Sequence, residues 1–295
     1  MRTVVSVDGR ITGPDEAVVS VFDRGFLYGD SVYEVLWWHR GAAIQAAEHL
    51  ARLRESARRI YLDLGADDAH FLAAIARTVA ASGCPADGDA YVRLVVTRGQ
   101  GPIGLKVAAG LAPCVVVIVS DPHRPTEADR ARGLHVALVD RLRVSVRALD
   151  PGAKTGNYMN NLLALHEAVL RGADDAVLLN DRGEVTEGTT ANVYVVRGGR
   201  VRTPPIAAGI LRGTTRTRVL AICRDAGRGG DEETLYPSDL HGADEVFLSS
   251  SVRGVIAVTR VDGTPVGAGV AGPVATEVHR RFEAAADAEA AAARR

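Results

Sequence analysis

Lys154 stands in the run Ala153-Lys154-Thr155-Gly156-Asn157-Tyr158-Met159-Asn160-Asn161, between an expected strand end and an amphipathic helix. A lysine amine becomes a useful nucleophile near neutral pH only where burial or a neighbouring charge lowers its pKa, and a small-residue turn beside an apolar helix can enclose it in that way. Taken alone the position is ordinary, since most lysines before a helix are solvated. Two features downstream give it chemical company. Glu187 lies in the turn Val185-Thr186-Glu187-Gly188-Thr189-Thr190-Ala191-Asn192. Beyond it come two turns rich in glycine and hydroxyls, Gly209-Ile210-Leu211-Arg212-Gly213 before a helix from Thr214, and Ser250-Ser251-Val252-Arg253-Gly254-Val255. At the first, the amides of Gly213, Thr214 and Thr215 are available to an anion with help from the helix dipole, although the hydroxyls could equally be ordinary caps. A Schiff-base lysine, a carboxylate and a phosphate cradle match a cofactor that presents an aldehyde, a ring nitrogen and a phosphate.

A second group lies on the strand expected over residues 90–97, where Val92, Leu94 and Val96 alternate with Tyr91, Arg93 and Val95. One face of that strand is wet or binds something. It runs into Thr97-Arg98-Gly99-Gln100-Gly101-Pro102, so Arg93 and Arg98 are candidates to hold a carboxylate through paired N–H donors. Against this, strand-edge arginines usually serve only solubility.

Taken in order, Lys154-Thr-Gly-Asn-Tyr-Met-Asn-Asn, Gly183-Glu-Val-Thr-Glu-Gly-Thr-Thr-Ala-Asn192, Gly209-Ile-Leu-Arg-Gly-Thr-Thr-Arg216 and Phe247-Leu-Ser-Ser-Ser-Val-Arg-Gly-Val255 form a recognisable set. The chain resembles the class IV, or fold-type IV, pyridoxal-phosphate aminotransferases, over about residues 23–263. Branched-chain aminotransferases, D-amino-acid transaminases and aminodeoxychorismate lyase belong to that family. The resemblance implies pyridoxal 5'-phosphate as cofactor, with Lys154 as its covalent carrier and the base that moves the proton at the substrate Cα. It implies Glu187 at the ring nitrogen, Tyr158 at the ring hydroxyl oxygen, and Arg52, Thr214, Thr215 and Ser251 around the phosphate. Tyr28, Tyr33, Tyr91, Arg93, Arg98, Val252 and Arg253 are then the substrate-binding candidates. Tyr91-Val92-Arg93 and Tyr28 resemble the branched-chain enzymes. Tyr33 with Arg98 resembles two members of the carboxylate trap of D-amino-acid transaminases, with Gln100 where a histidine would be the third. The reading preferred is a branched-chain-type transaminase using 2-oxoglutarate, with D-amino-acid or (R)-amine transamination and aminodeoxychorismate lyase as alternatives. A two-fold homodimer is implied as well.

The elements that must position these residues follow from hydrophobic period. Short strands are expected over residues 2–7 and 17–22, then a glycine-punctuated turn into a strand carrying Tyr33. Helices are expected over 46–64, with Arg52, Arg54, Arg58 and Arg59 off its apolar face, and over 67–81, ending near Gly83. Strands at 90–97 and 114–119 precede a polar, proline-rich stretch, Ser120 to Glu127, that marks a domain boundary. The second half alternates strands (134–139, 176–179, 193–196, 246–249) with helices (160–170, 214–226, and from Gly272). The expected fold class is α+β, or mixed α/β, with a small N-terminal domain (1–120), a linker (121–130) and a larger cofactor-binding domain (131–295). Residues 284–295, rich in alanine and arginine, read as a solvated helix end or a disordered tail.

A chain of 295 residues with 47% hydrophobic and 24% charged residues can bury one large core or two moderate ones. A net charge of −1 with both signs interspersed leaves no basic footprint for nucleic acid and no polybasic membrane patch. Cys84, Cys114 and Cys223 are far apart and odd in number, which suggests neither a disulfide framework nor a zinc site. No signal-peptide pattern and no apolar run of about 18 residues is present, so the expected setting is the cytoplasm, and small molecules are the expected partners.

Overall fold

The computed structural model describes residues 1–294, which form two compact units. The first comprises Met1–His123, Ala153–Asn157 and the chain from Ala286 onward; the second comprises Arg124–Gly152 and Tyr158–Ala285.

The first unit is built on an antiparallel six-stranded sheet. Its strands are β1 (Val4–Val7), β2 (Arg10–Thr12), β3 (Ser31–His39), β4 (Ala42–Ala43), β5 (Asp89–Thr97) and β6 (Cys114–Ser120), in the order β2-β1-β6-β5-β3-β4. Helix α1 (Arg24–Tyr28) leads into β3, and helices α2 (Ala46–Arg59) and α3 (Asp68–Ser82) cover one face. Helix α3 is delimited as its sequence suggests: the Asp67 carboxylate caps the His70 amide, and Gly83 ends it at φ 72°. The alternation in β5 also holds, with Val92, Leu94 and Val96 packing among Leu50, Leu53, Phe71 and Ile75.

Two expectations fail here. The strand that follows β1 is β2 rather than residues 17–22, because Asp8 and Gly9 adopt φ values of 47° and 86° and close a two-residue hairpin that pairs Val7 with Arg10. The valine-rich run 17–22 forms no strand, and Val18 and Phe22 remain 71% and 52% exposed. The alanine-rich end is a helix end over the described residues, but one buried along one side rather than solvated all round. It continues helix α8 (Pro273–Ala293), and Ala286 and Ala290 extend the buried stripe of Val278 and Phe282 at helical spacing. Glu289 accepts from the Gln45 amide, and Asp287 pairs with Arg40 and His39. Residue 295 lies outside the described residues.

The second unit contains α4 (Glu127–Arg132), β7 (Leu134–Leu138), α5 (Met159–Leu170), β8 (Asp175–Leu179), β9 (Val185–Gly188), β10 (Asn192–Arg197), β11 (Arg200–Thr203), α6 (Thr214–Asp225) and β12 (Gly229–Glu232). They are followed by α7 (Pro237–His241), β13 (Glu245–Ser250), β14 (Gly254–Val261), β15 (Thr264–Pro265) and the first part of α8. The sheet order is β12-β11-β10-β13-β14-β7-β8-β9, and β9 also pairs with β10 through Glu187 and Asn192, so six of these strands close on themselves. Val136, Val177, Val193, Val246, Leu248 and Val258 fill the interior. No described helix is long and apolar enough to cross a membrane. The mixed α/β class read from the sequence is the class observed.

Candidate active site

In the first unit, residues 153–157 lie along the start of β3. The Lys154 carbonyl accepts from the Tyr33 amide at 3.0 Å, the Lys154 amide donates to Ser56 Oγ at 3.0 Å, and the Gly156 amide donates to the Ser31 carbonyl at 2.9 Å. Glycine suits position 156 because a Cβ there would collide with Ser31 Oγ unless that side chain moved. With its backbone fixed at both ends, Lys154 sends its Nζ to 3.3 Å from Tyr33 Oη and 4.4 Å from the centroid of the tyrosine ring.

Beneath this stretch α2 turns a polar stripe inward. His49, Arg52 and Ser56 recur at helical spacing, and Glu34 of β3 meets them, fully buried. Arg52 grips the Glu34 carboxylate with Nε at 2.7 Å and Nη2 at 2.6 Å, and His49 Nδ1 lies 2.7 Å from Glu34 Oε2. Burial alone would push the Glu34 carboxyl up, but the charges and hydrogen bonds of Arg52 and His49 outweigh it and bring it down to about 2. Burial lowers the His49 pKa, so a neutral imidazole donates Nδ1–H to Glu34. Arg52 is therefore unlike its neighbours Arg54, Arg58 and Arg59, which make exposed ion pairs with Asp68 and Glu55. Its guanidinium plane is set by a buried carboxylate.

The other candidates of this unit separate by what they already hold. Arg98 donates Nε to Asp30 at 2.8 Å, Nη1 to the Tyr61 carbonyl at 2.7 Å and Nη2 to the Ile60 carbonyl at 2.8 Å. Arg93 stacks on the Tyr33 ring with its Cζ 4.1 Å from the centroid, and among the described residues its guanidinium makes no hydrogen bond or ion pair. Tyr91 shares the β5 face of Arg93, whereas the Tyr28 hydroxyl accepts from the Gly104 amide at 2.8 Å. Lys154, Tyr33 and Arg93 thus form one cluster, from which Arg98 is drawn away.

In the second unit, Glu187 is buried on β9. Its Oε1 accepts from Arg143 Nε at 3.0 Å and its Oε2 from the Leu211 amide at 3.1 Å, with Asn192 Nδ2 at 3.5 Å. Leu211 begins the turn into α6. That helix has no side-chain cap at Gly213, and a Cβ on Gly213 would collide with Asn192 Oδ1. The Thr215 hydroxyl is buried without a hydrogen-bond partner among the described residues. A helix N-terminus beside that hydroxyl fits a phosphate, which accepts from backbone amides and hydroxyls alike. Tyr158 stands at the start of α5, half-buried. Arg253 donates to Asp175 at 3.1 Å and to Thr190 Oγ1 at 3.0 Å, so it ties its own turn, which carries Ser251 and Val252, to the turn after Glu187.

Glu34, His49, Arg143 and Asp175 escape the sequence reading. Glu34 and Asp175 sit in strand patterns where a single acid resembles a solvated position, and Arg143 stands in an irregular stretch. The usable signal was the i, i+3, i+7 spacing of His49, Arg52 and Ser56 on an otherwise apolar helix face.

Comparison with known proteins agrees with this architecture. Residues 31–261 match the model of the family described as amino-transferase class IV. A Methanocaldococcus jannaschii protein named as a branched-chain-amino-acid aminotransferase is 33% identical over 95% of both chains, and a D-alanine aminotransferase of Bacillus licheniformis is 34% identical over 95% of both. The branched-chain aminotransferase of Thermoproteus uzoniensis, solved with norvaline, superposes with a TM-score of 0.86 at 30% identity, covering 95% of this chain and 93% of that one. The chain belongs to the class IV aminotransferases, enzymes that work with pyridoxal 5'-phosphate.

Proposed function

We propose that this aminotransferase moves the amino group between branched-chain-type L-amino acids and 2-oxoglutarate. The observation that carries the reading is the contrast between two arginines: among the described residues the Arg93 guanidinium is held by the Tyr33 ring beside Lys154 alone, while Arg98 is committed to Asp30 and two backbone carbonyls. A guanidinium with its donors uncommitted is suited to a substrate carboxylate, and it lies on the strand that also carries Tyr91. D-amino-acid transamination is the second reading, favoured by Tyr33 and by the likeness to D-alanine aminotransferases.

The cofactor supplies an aldehyde for covalent capture of an amine and a ring that accepts the electron pair from the substrate Cα. The chain's own part is to bind, orient and move protons. Lys154 is the covalent carrier and the base, with its Nζ oriented by the Tyr33 hydroxyl. Glu187 would hold the ring nitrogen and Tyr158 the ring oxygen. Thr214, Thr215 and Ser251 would hold the phosphate, and Arg52, whose guanidinium is aimed by Glu34, is the candidate to join them. The enzyme is a homodimer in this reading: exposed Val18, Phe22 and Phe26 in the first unit and Met159, Leu162 and Leu170 along α5 offer apolar surface for a second copy. A cytoplasmic setting accompanies it, all three cysteines being free thiols.

The test is an amino-donor screen with both enantiomers of leucine, alanine and glutamate, followed through the cofactor absorbance. Turnover of L-leucine and L-glutamate is expected. Turnover of D-alanine and D-glutamate alone would overturn the branched-chain reading in favour of the second.

A further inference from the structure

Arg143 and Glu187 form a pair with side chains only 10% and 7% exposed. Removing two charges from water is costly, and their attraction compensates only if the geometry is held. The chain holds it at both ends. The Arg143 amide donates to the Leu179 carbonyl at 2.7 Å, and the Asn160 side chain brackets Arg143, accepting from the Val144 amide at 3.2 Å and donating to the Leu142 carbonyl at 2.9 Å. Asn161 donates to the Thr189 carbonyl at 2.7 Å and fixes the turn that follows Glu187. Two successive asparagines in the first turn of α5 therefore grip the segments that carry the two partners.

We propose that Arg143, set in place by Asn160, is a positioning residue that decides where one proton resides: on the ring nitrogen of the cofactor rather than on Glu187. The proposal rests on the assignment of Glu187 to that nitrogen. One proton is shared between two sites, the carboxylate oxygen and the nitrogen, and none is gained or lost. A guanidinium 3.0 Å from Oε1 stabilises the ionised carboxylate more than it opposes a positive charge on the far side of the carboxyl group, because the interaction falls with distance. Without it the pair can relax to the neutral acid and neutral nitrogen, which need less solvation in a dry site, and the ring becomes a poorer electron acceptor. Arg143 touches neither substrate nor reacting atoms in this account. It acts through Glu187.

The experiment loads the enzyme with pyridoxal phosphate carrying ¹⁵N at the ring position and reads that nitrogen by NMR, with cofactor occupancy measured by absorbance. In the wild type and in Arg143→Lys the resonance should sit at the protonated position. Arg143→Met should move it toward the unprotonated position at equal occupancy and slow the half-reaction about ten-fold or more. Asn160→Ala keeps the cation but frees its backbone; it should move the resonance part of the way and add nothing to Arg143→Met. If Glu187→Gln moves the resonance while Arg143→Met and Asn160→Ala leave it at the wild-type position, the proposal is overturned and the Glu187 assignment stands. If Glu187→Gln also leaves it unmoved, the assignment falls and the proposal with it. Should Arg143→Met fail to fold, Asn160→Ala decides alone, an unmoved resonance counting against the proposal.

Discussion

Lys154 Nζ lies 3.3 Å from the hydroxyl of Tyr33, although 121 positions of sequence separate the two residues. The contact exists because the Lys154 carbonyl pairs with the Tyr33 amide, so the amine and the phenol leave the same short stretch of paired backbone. A hydroxyl fixed at that distance can hold the amine's lone pair or one of its protons in a chosen direction.

Tyr33→Phe should therefore retain the covalent lysine–cofactor conjugate but slow proton movement at the substrate Cα. A hydrogen bond to a charged group contributes about 1.5–3 kcal/mol, which corresponds to a loss of about ten- to a hundred-fold in kcat. Lys154→Ala should abolish turnover and the near-visible absorbance of the conjugate. Borohydride reduction followed by peptide mapping checks the carrier: a label on any lysine other than Lys154 removes it from the mechanism.

Glu187→Gln should cost far more in rate than in cofactor occupancy. The buried carboxylate gives way to an amide that cannot balance a positive ring nitrogen, and the expected loss is on the order of a hundred-fold or more in the half-reaction. Single-turnover kinetics with matched cofactor loading measure it; wild-type rates would dismiss the assignment.

Lys154 and Glu187 stand out in the sequence as candidates because each sits in a motif whose small residues have a steric reason, as Gly156 does against Ser31. Helix α3 and strand β5 were legible from their caps and period. Elements decided by distant partners were not. The run 17–22 has the composition of a strand, yet the Asp8-Gly9 turn gives the edge of β1 to residues 10–12. Arg52 reads as one of four helix-surface arginines until Glu34 is brought beneath it by β3. The alanine-rich end has its buried stripe set by residues far away in sequence, in the same unit, which it meets at His39, Arg40 and Gln45.

The Glu34 pair makes a pH prediction. Its carboxyl titrates near 2 in the folded protein against an ordinary 4.5, so folding gains stability that is fully present above 4.5 and lost as pH falls toward 2. At 1.36 kcal/mol per pH unit, that carboxyl contributes about 3 kcal/mol. His49, also lowered by burial, binds its proton more readily when unfolded, so its effect begins at a higher pH, as the pH falls below about 6.5. Urea titrations across this range should find Glu34→Gln less stable than wild type at pH 7, with the gap narrowing below pH 4.5. His49→Gln should flatten the decline just below pH 6.5. A gap for Glu34→Gln that stays constant from pH 7 to pH 3 would contradict the buried pair.

The two arginines of β5 and its exit should respond to alanine in different currencies of measurement. Arg93 has its donors uncommitted over Tyr33, so Arg93→Ala should leave the fold and the cofactor spectrum intact while raising KM. A lost charge-assisted grip of about 1.5–3 kcal/mol lowers kcat/KM by about ten- to a hundred-fold. Arg98 instead joins Asp30 to the backbone at Ile60 and Tyr61, and with Arg24 it outweighs burial to hold the Asp30 carboxyl below its ordinary value. Arg98→Ala leaves two carbonyls and a carboxylate without that donor, so it should lower stability by about 1–3 kcal/mol, read as a lower denaturant midpoint, with KM little changed. Measuring both variants against both enantiomers of leucine and glutamate separates the readings. If Arg98→Ala, at unchanged stability, loses activity toward D-glutamate while Arg93→Ala behaves as wild type, the carboxylate is read by Arg98, and the assignment of Arg93 to L-substrates is withdrawn.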